Sequence, residues 1–152
     1  MRSLLITIAL TAALAAAAPC PPDGPVTADI RAVGCADLRL TVISDNITLA
    51  IEGATGTINV TSAAAGTTLR LLDSTIAGNL TLSGSHAFAD VRRSTITGTD
   101  VVVLSGGRNA TIAVVDSTLT GVVVASVLSS SFRASITIVN STLNAPRYAA
   151  SV

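Results

Sequence analysis

The sequence contains an eight-residue phrase, LLDSTIAG, at residues 71–78. It returns as VRRSTITG at 91–98, as VVDSTLTG at 114–121 and, shortened, as IVNSTL at 138–143. Each copy starts on an aliphatic residue and passes through a polar turn, and the three full copies end on glycine. Such self-similarity indicates that the chain is built from repeated structural units.

A weaker copy, AIEGA at 50–54, precedes these four. We take Gly53 as the counterpart of the phrase serine, which gives the markers Gly53, Ser74, Ser94, Ser117 and Ser141, spaced by 21, 20, 23 and 24 residues. A period in the twenties predicts a solenoid. Leucine-rich repeats share this period but need regularly spaced Leu with an Asn, and helical repeats need sustained 3.6-residue patterning. The sequence shows neither pattern.

Short runs of strand-forming residues flank each phrase. TLRL at 68–71 leads into the first full copy, and NLTLS at 79–83 and VVVL at 101–104 follow phrase glycines. The composition agrees, because 16 Ser and 20 Thr supply the polarity of a chain that is 49% hydrophobic and 12% charged. β-branched residues favour strands. We therefore predict an all-β, right-handed parallel β-helix (a β-solenoid) of about four to five coils.

Stacked coils place equivalent side chains in columns, because neighbouring strands lie about 4.8 Å apart. Two columns stay aliphatic and are predicted to face inward, as the interior of a narrow solenoid requires. They consist of Ile76, Ile96, Leu119 and Leu143, and of Leu71, Val91, Val114 and Ile138.

A third column is polar and is predicted to lie at a turn. It contains Glu52, Asp73, Arg93, Asp116 and Asn140. Arg93 then lies between two carboxylates, and opposite charges on adjacent coils attract by roughly a few tenths of a kcal/mol. We interpret this ladder as charge compensation.

The best catalytic candidate is a charged group in one loop region, His86, Asp90, Arg92 and Arg93. Many parallel β-helices cleave acidic sugars, using a carboxylate cluster for calcium or a Lys or Arg base in a groove. This chain has no Lys, one Glu and one His, and no repeated carboxylates accompany the group. We therefore interpret it as a solvated turn and expect no catalysis, no cofactor and no metal.

Residues 1–18 have the pattern of a secretory signal peptide, with Arg2 as the charged start, an apolar run at 4–14 and small residues at 15–18. A transmembrane anchor would need about 20 apolar residues. A lipoprotein site at Cys20 would need a small residue where Pro19 stands. Cleavage of the signal peptide removes one of the nine Arg, and all nine acidic residues remain. The mature chain therefore lacks the excess of basic residues that a nucleic-acid-binding surface needs. We expect a secreted or cell-surface protein.

The two cysteines, Cys20 and Cys35, lie just after this segment. An oxidising compartment favours their pairing as a disulfide, whereas a redox or metal pair would show a C-x-x-C spacing or nearby His ligands. The surrounding residues 19–46 carry Pro and Gly before any clear strand pattern, and we predict that they form a short N-terminal cap. The β-helix repeats are then expected at 47–152.

Five of the six asparagines begin N-x-T sequons for N-glycosylation. They are Asn46, Asn59, Asn79, Asn109 and Asn140. We expect sugars at the first four, which fall at strand starts or at outward strand positions; Asn59, for example, should face water. Asn140 shares the turn ladder with Asp116 and is expected to be poorly occupied. A repeat rich in strand-forming Thr is the alternative origin of these triplets.

The chain resembles the repetitive ectodomains of the dispersed gene family surface proteins of kinetoplastid protozoa. The resemblance lies in the D-S-T-[IL]-x-G phrase and in Val-rich runs such as VVVL at 101–104 and VVVA at 122–125, and it covers about residues 47–143. It implies a large surface or secreted β-helical glycoprotein with a role in adhesion to host molecules and no established catalytic residues. This chain is short and shows no transmembrane segment, so it is either a secreted minor member or a fragment. We expect a repeat truncated at Val152 and continued in a longer parent protein.

Three function classes follow from these features. The first is a structural or adhesive module that displays glycans and Thr/Ser faces to extracellular or host surface molecules, carbohydrate among them. The second is a carbohydrate-active, pectate-lyase-like enzyme or a degenerate relative. The third is an ice-binding solenoid, suggested by T-x-T at 95–97 and 118–120, although Ala77 and Asn144 interrupt that pattern. We favour the first class.

Overall fold

The computed structural model describes residues 20–105, 108–128, 133–146 and 148–151. The predicted signal peptide at 1–18 lies outside these ranges, as does Val152. Every regular element within them is a β-strand. The described part of the chain contains no helix with the length and hydropathy that a membrane span requires.

Within the described residues, seventeen strands follow one another along the chain. They are β1 (Gly24–Val26), β2 (Ile30–Val33), β3 (Leu38–Val42), β4 (Thr48–Glu52), β5 (Thr55–Ser62), β6 (Thr68–Leu72), β7 (Thr75–Ala77), β8 (Leu80–Leu82), β9 (Phe88–Arg92), β10 (Thr95–Thr97), β11 (Asp100–Ser105), β12 (Thr111–Val115), β13 (Thr118–Thr120), β14 (Val123–Leu128), β15 (Ser135–Val139), β16 (Thr142–Asn144) and β17 (Tyr148–Ser151).

Each turn of the chain passes through three faces. Face 1 is a six-stranded sheet with the order β15-β12-β9-β6-β4-β2. Face 2 contains the start of β5 with β7, β10, β13 and β16, and face 3 contains β1, β3, the rest of β5, β8, β11, β14 and β17. All of these pairings are parallel, and the strands stack in about 5 turns. The predicted β-solenoid is therefore confirmed.

The first inward column has the predicted register. Ile96 is the Cα partner of Ile76 on one side and of Leu119 on the other, and Leu119 pairs with Leu143. Ile76, Ile96 and Leu119 are buried, and Leu143 packs partly buried against them. The repeated phrase therefore marks a continuous aliphatic core on face 2.

The second inward column is also in register. Val91 is the partner of Leu71 and of Val114, and all three have no exposed surface. Ile138 pairs with Val114 but is 38% exposed, because β15 is the last described strand of its sheet.

The phrase serines form a column at the corner between faces 1 and 2. The backbone N–H of each donates to the Oγ of the serine one coil further on, from Ser74 to Ser94 at 3.2 Å, from Ser94 to Ser117 at 3.1 Å and from Ser117 to Ser141 at 3.1 Å. Each Oγ donates in turn to the backbone carbonyl two residues before it, at 2.7 Å. Buried hydroxyls need such partners, so serine recurs because it closes this corner.

The weak copy is displaced by one residue from the predicted alignment. Ala54, rather than Gly53, occupies the serine position, since its N–H donates to Oγ of Ser74 at 3.1 Å. Glu52 consequently pairs with Leu72 on face 1 and does not belong to the turn column. Gly53 takes the turn position with a φ of 61°, a conformation that carries no steric cost for glycine.

The described part of the predicted cap, residues 20–46, contributes strands to the solenoid. β1 pairs with β3 and β2 with β4, again in parallel. A disulfide joins Cys20 to Cys35, whose Cα atoms are 5.7 Å apart, and closing a loop of this length is worth about 3 kcal/mol in the chain-entropy account. Val26 and Ala32 of these first strands are buried, so the core is already formed at this end.

Candidate functional site

The charged residues nearest the repeat phrase meet on the outer side of face 1. Alternation along a strand points residues 70 and 72 of β6, and 90 and 92 of β9, away from the core. Arg70 is the Cα partner of Asp90, and Leu72 is the partner of Arg92. Together with Arg93 of the following turn they line a shallow cavity of about 380 Å³, which we call the face 1 groove.

Asp90 is the buried carboxylate of the face 1 groove. Only 7% of the residue is exposed, and its Oδ1 accepts a hydrogen bond of 2.8 Å from Nε of Arg92. This bond and the charge attraction behind it raise the pKa of Arg92. The Arg92 side chain is itself 49% exposed, and its Nη atoms form no hydrogen bond with any residue that the structure describes.

Arg70 differs from the other charged residues on face 1. It is exposed, and its guanidinium has no ion pair or hydrogen bond among the described residues, whereas Arg31 donates to Glu52 at 3.2 Å on the same face. Sequence analysis did not single out Arg70. The sequence did indicate that Arg70 and Asp90 are neighbours, because each directly precedes a copy of the phrase and the copies are aligned on adjacent coils.

The turn column borders the face 1 groove, and Arg93 belongs to both. Arg93 donates from Nε to Oδ1 of Asp73 at 2.6 Å and from Nη2 to Oδ2 at 2.8 Å. This contact lowers the pKa of Asp73 and raises that of Arg93, to which Asp116 adds a weaker attraction. Asp73, Arg93, Asp116 and Asn140 all have φ between 45° and 51°. Arg rarely adopts this conformation, and the two bonds to Asp73 help to hold Arg93 in it.

His86 does not lie with Asp90 and Arg92. It occupies the turn before β9 with a φ of 58°, whereas the other two lie within the strand. A strand of five residues spans about 13 Å at the usual rise, so His86 and Arg93 lie at opposite ends of it. The expectation that this charged group belongs to one loop region is therefore wrong.

The sequon asparagines occupy three kinds of position. Asn46 and Asn109 lie at exposed turns with φ of 59° and 58°. Asn59 and Asn79 are half-buried one coil apart, and Oδ1 of Asn59 accepts a hydrogen bond of 3.1 Å from the N–H of Asn79. The expectation that Asn59 simply faces water is thus corrected, because its carboxamide bridges two coils. Asn140 is exposed in the turn column.

Face 2 carries the threonines on which the ice-binding alternative depends. Cα partners form one unbroken column of Thr55, Thr75, Thr95, Thr118 and Thr142. In the second column Ala77 and Asn144 stand among threonines, in the register that the sequence indicates. The regular threonine array is therefore one column wide.

Among the residues that the structure describes, no three His, Cys, Asp or Glu side chains are grouped so that they could hold a metal ion. Comparison of the chain with protein-family models, with curated proteins and with solved structures found no match. The face 1 groove, the turn column and the sequon asparagines are the features from which a function must be inferred.

Proposed function

We propose that this chain is a secreted or cell-surface β-solenoid module, N-glycosylated and with a structural or adhesive role rather than a catalytic one. The observation that carries the proposal is the placement of the sequons. Asn46 and Asn109 lie at exposed turns, and Asn59 and Asn79, although half-buried, lie outside the core between or beside fully buried residues. A sugar attached at these positions projects into solvent, so the solenoid acts as a rod that displays glycans.

Three features support the secretory address. Residues 1–18 have the pattern of a signal peptide. The disulfide between Cys20 and Cys35 is of the kind that persists in oxidising compartments. N-glycosylation takes place along the same secretory route. The resemblance to kinetoplastid surface proteins favours the same location and favours extracellular or host surface molecules, carbohydrate among them, as partners.

A stacked solenoid suits adhesion because each coil repeats the same outward columns and adds a fixed rise. The formal net charge of the chain is zero, so its solubility depends on uncharged polar groups. Glycans would supply such groups and cover the Thr-rich faces.

Adhesion can be measured directly. Beads are coated with the chain secreted from a eukaryotic host and placed on mammalian cell monolayers. The control beads carry the same mass of the Ile96→Asp variant, in which the folded surface is lost. We expect the native chain to retain several times more beads after washing. Equal retention would contradict an adhesive role for the folded module.

The face 1 groove favours a second candidate, a carbohydrate-active enzyme or a degenerate relative. Arg92 beside the buried carboxylate of Asp90 places a basic and an acidic group in one groove, as cleavage of an acidic sugar would need. The check is release of unsaturated products from polygalacturonate with calcium present. Product formation by the native chain and its loss in Arg92→Ala would favour this candidate over the adhesive one.

A further inference from the structure

We propose that the face 1 groove binds an acidic saccharide, with the guanidinium groups of Arg70 and Arg92 holding a carboxylate or sulfate on the sugar. This inference rests on the proposed adhesive function and names the class of ligand that the module would hold. It concerns a surface separate from the sequon asparagines.

The shape of the face 1 groove suits a linear ligand. On either side of Arg70 and Asp90, the same column of face 1 continues with alanines, Ala50 and Ala113. Alanine side chains are small, so neither neighbouring coil places a large side chain at this column beside the face 1 groove. The face 1 groove spans the successive coils of β6 and β9 and therefore runs along the solenoid axis, so it fits a chain of sugars better than a compact molecule.

The charge of the groove favours an anion. Arg31 is paired with Glu52, and Arg92 is paired with Asp90. Arg70 is therefore the charged side chain of face 1 that lacks an ion-pair partner among the described residues. A guanidinium presents a planar set of N–H donors that match the two oxygens of a carboxylate or sulfate, so Arg70 selects an oxyanion over a neutral group.

The positions of Arg70 and Arg92 allow both to contact one oxyanion. They lie on adjacent paired strands and are offset by two residues, which separates their Cα atoms by about 8 Å at the usual strand spacing and rise. Nε of Arg92 is bound to Asp90, which leaves its Nη atoms for the ligand. The Asp90 carboxylate keeps acceptor capacity for a sugar hydroxyl. Two cations and one acceptor match a charged sugar better than a simple anion.

The repeat itself does not require these charges. The positions of Asp90 and Arg92 are occupied on the next coil by Ala113 and Val115, and on the last by Thr137 and Val139. The solenoid forms with small or aliphatic residues at these sites. Local departures from an otherwise consistent pattern are expected at functional sites, and here they gather on β6 and β9.

The test measures binding of defined polysaccharides to the full secreted chain by calorimetry at low salt. Heparin serves as the sulfated probe, polygalacturonate as the carboxylated probe and dextran as the neutral one. We expect at least one acidic polymer to bind and dextran not to bind, and a preference between the two acidic polymers identifies the oxyanion.

Substitutions locate the site. Arg70→Ala should weaken binding by about tenfold or more, because a bidentate charged contact is lost. Arg39→Ala is the matched control, since Arg39 is exposed on β3 of face 3 and its loss changes the net charge equally. It should weaken binding less than about twofold, as expected for screened surface charge. Arg70→Gln, which keeps most of the side-chain stem, provides a second variant if circular dichroism shows that Arg70→Ala is unfolded.

Two results would overturn the site. One is the absence of binding to both acidic polymers, and the other is equal weakening by Arg70→Ala and Arg39→Ala, which would indicate general charge attraction. Bead adhesion separates this inference from the function on which it rests. A native chain that adheres to cells but binds neither acidic polymer retains the adhesive role and loses the saccharide site. If the chain binds an acidic polymer through Arg70 but does not adhere to cells, the saccharide site is supported and the adhesive role is contradicted.

Discussion

The backbone N–H of Ser74 donates a hydrogen bond of 3.2 Å to Oγ of Ser94, one coil further along the solenoid. The same Oγ donates to the backbone carbonyl of Arg92 at 2.7 Å. One buried hydroxyl therefore bonds to the backbone of its own turn and also accepts the hydrogen bond that links the preceding coil to it. The serine of the repeated phrase is explained by this geometry and needs no catalytic role.

Ser94→Ala should destabilise the fold by about 1–3 kcal/mol, because it leaves a buried N–H without an acceptor. The N–H of Ser74 and the carbonyl of Arg92 are the two groups that lose this partner. Urea unfolding should show a lower midpoint with an unchanged slope.

Thr97→Ala is the control for Ser94→Ala. Thr97 is exposed, and alanine already occupies the equivalent position on the preceding coil as Ala77. This substitution should leave the midpoint almost unchanged. A loss equal to that of Ser94→Ala would show that the serine column does not hold the corner.

Ile96→Asp should unfold the module. Ile96 has no exposed surface and lies between Ile76 and Leu119, so the substitution buries a charge without a partner, a change that costs more than about 4 kcal/mol in such settings. Thr95→Asp, at an exposed neighbouring position, should remain folded. Circular dichroism melting distinguishes the two, and an unchanged melting curve for Ile96→Asp would refute the inward register.

The ion pair in the turn column should be visible in a titration. Arg93 lowers the pKa of Asp73, so the pair stabilises the fold fully above the ordinary carboxyl pKa, and this contribution is lost as the pH falls through the lowered value. In Arg93→Gln the pKa of Asp73 should rise towards its usual range, whereas Arg92→Gln should leave it unchanged. Carboxyl chemical shifts followed by NMR measure this, and equal shifts in both variants would exclude the assigned pairing.

The repeated phrase allowed most of the fold to be predicted, because each serine is followed two residues later by Ile or Leu in every copy, which sets the strand register. Where the phrase degenerates, that information is lost. In the weak copy Gly53 resembles the serine by its place after an acidic residue, but its positive φ makes it the equivalent of Asp73. The first strands are also hard to recognise in the sequence, since Pro and Gly lie around β1, whose one partner among the described strands is β3.

The candidate site was harder to predict than the fold. Arg70 and Asp90 become neighbours through the pairing of β6 with β9, and although each directly precedes a copy of the phrase, neither belongs to the phrase itself. His86 was grouped with Asp90 because the two are close in sequence, yet in an extended strand residues a few positions apart in sequence are widely separated in space. Burial of Asp90 also depends on its neighbours on adjacent strands, which composition does not reveal.

Asn59 and Asn79 should compete for glycosylation. They lie one coil apart and are joined by a hydrogen bond of 3.1 Å, so two sugars would start about 4.8 Å from each other. Glycopeptide mass spectrometry should find each site occupied in part, whereas Asn46 and Asn109 should be nearly full. In Asn59→Gln the occupancy of Asn79 should rise, and an unchanged occupancy would show that the two sites are independent.

A secreted solenoid that displays N-linked glycans should lose mass when the glycans are removed, so the mass of the chain secreted from a eukaryotic host is measured before and after glycosidase treatment. We predict a clear loss of mass for the native chain and little loss for a variant with Gln at Asn46, Asn59, Asn79 and Asn109, since Asn140 should be poorly occupied. A native chain whose mass does not change would contradict the glycoprotein assignment and the surface function built on it.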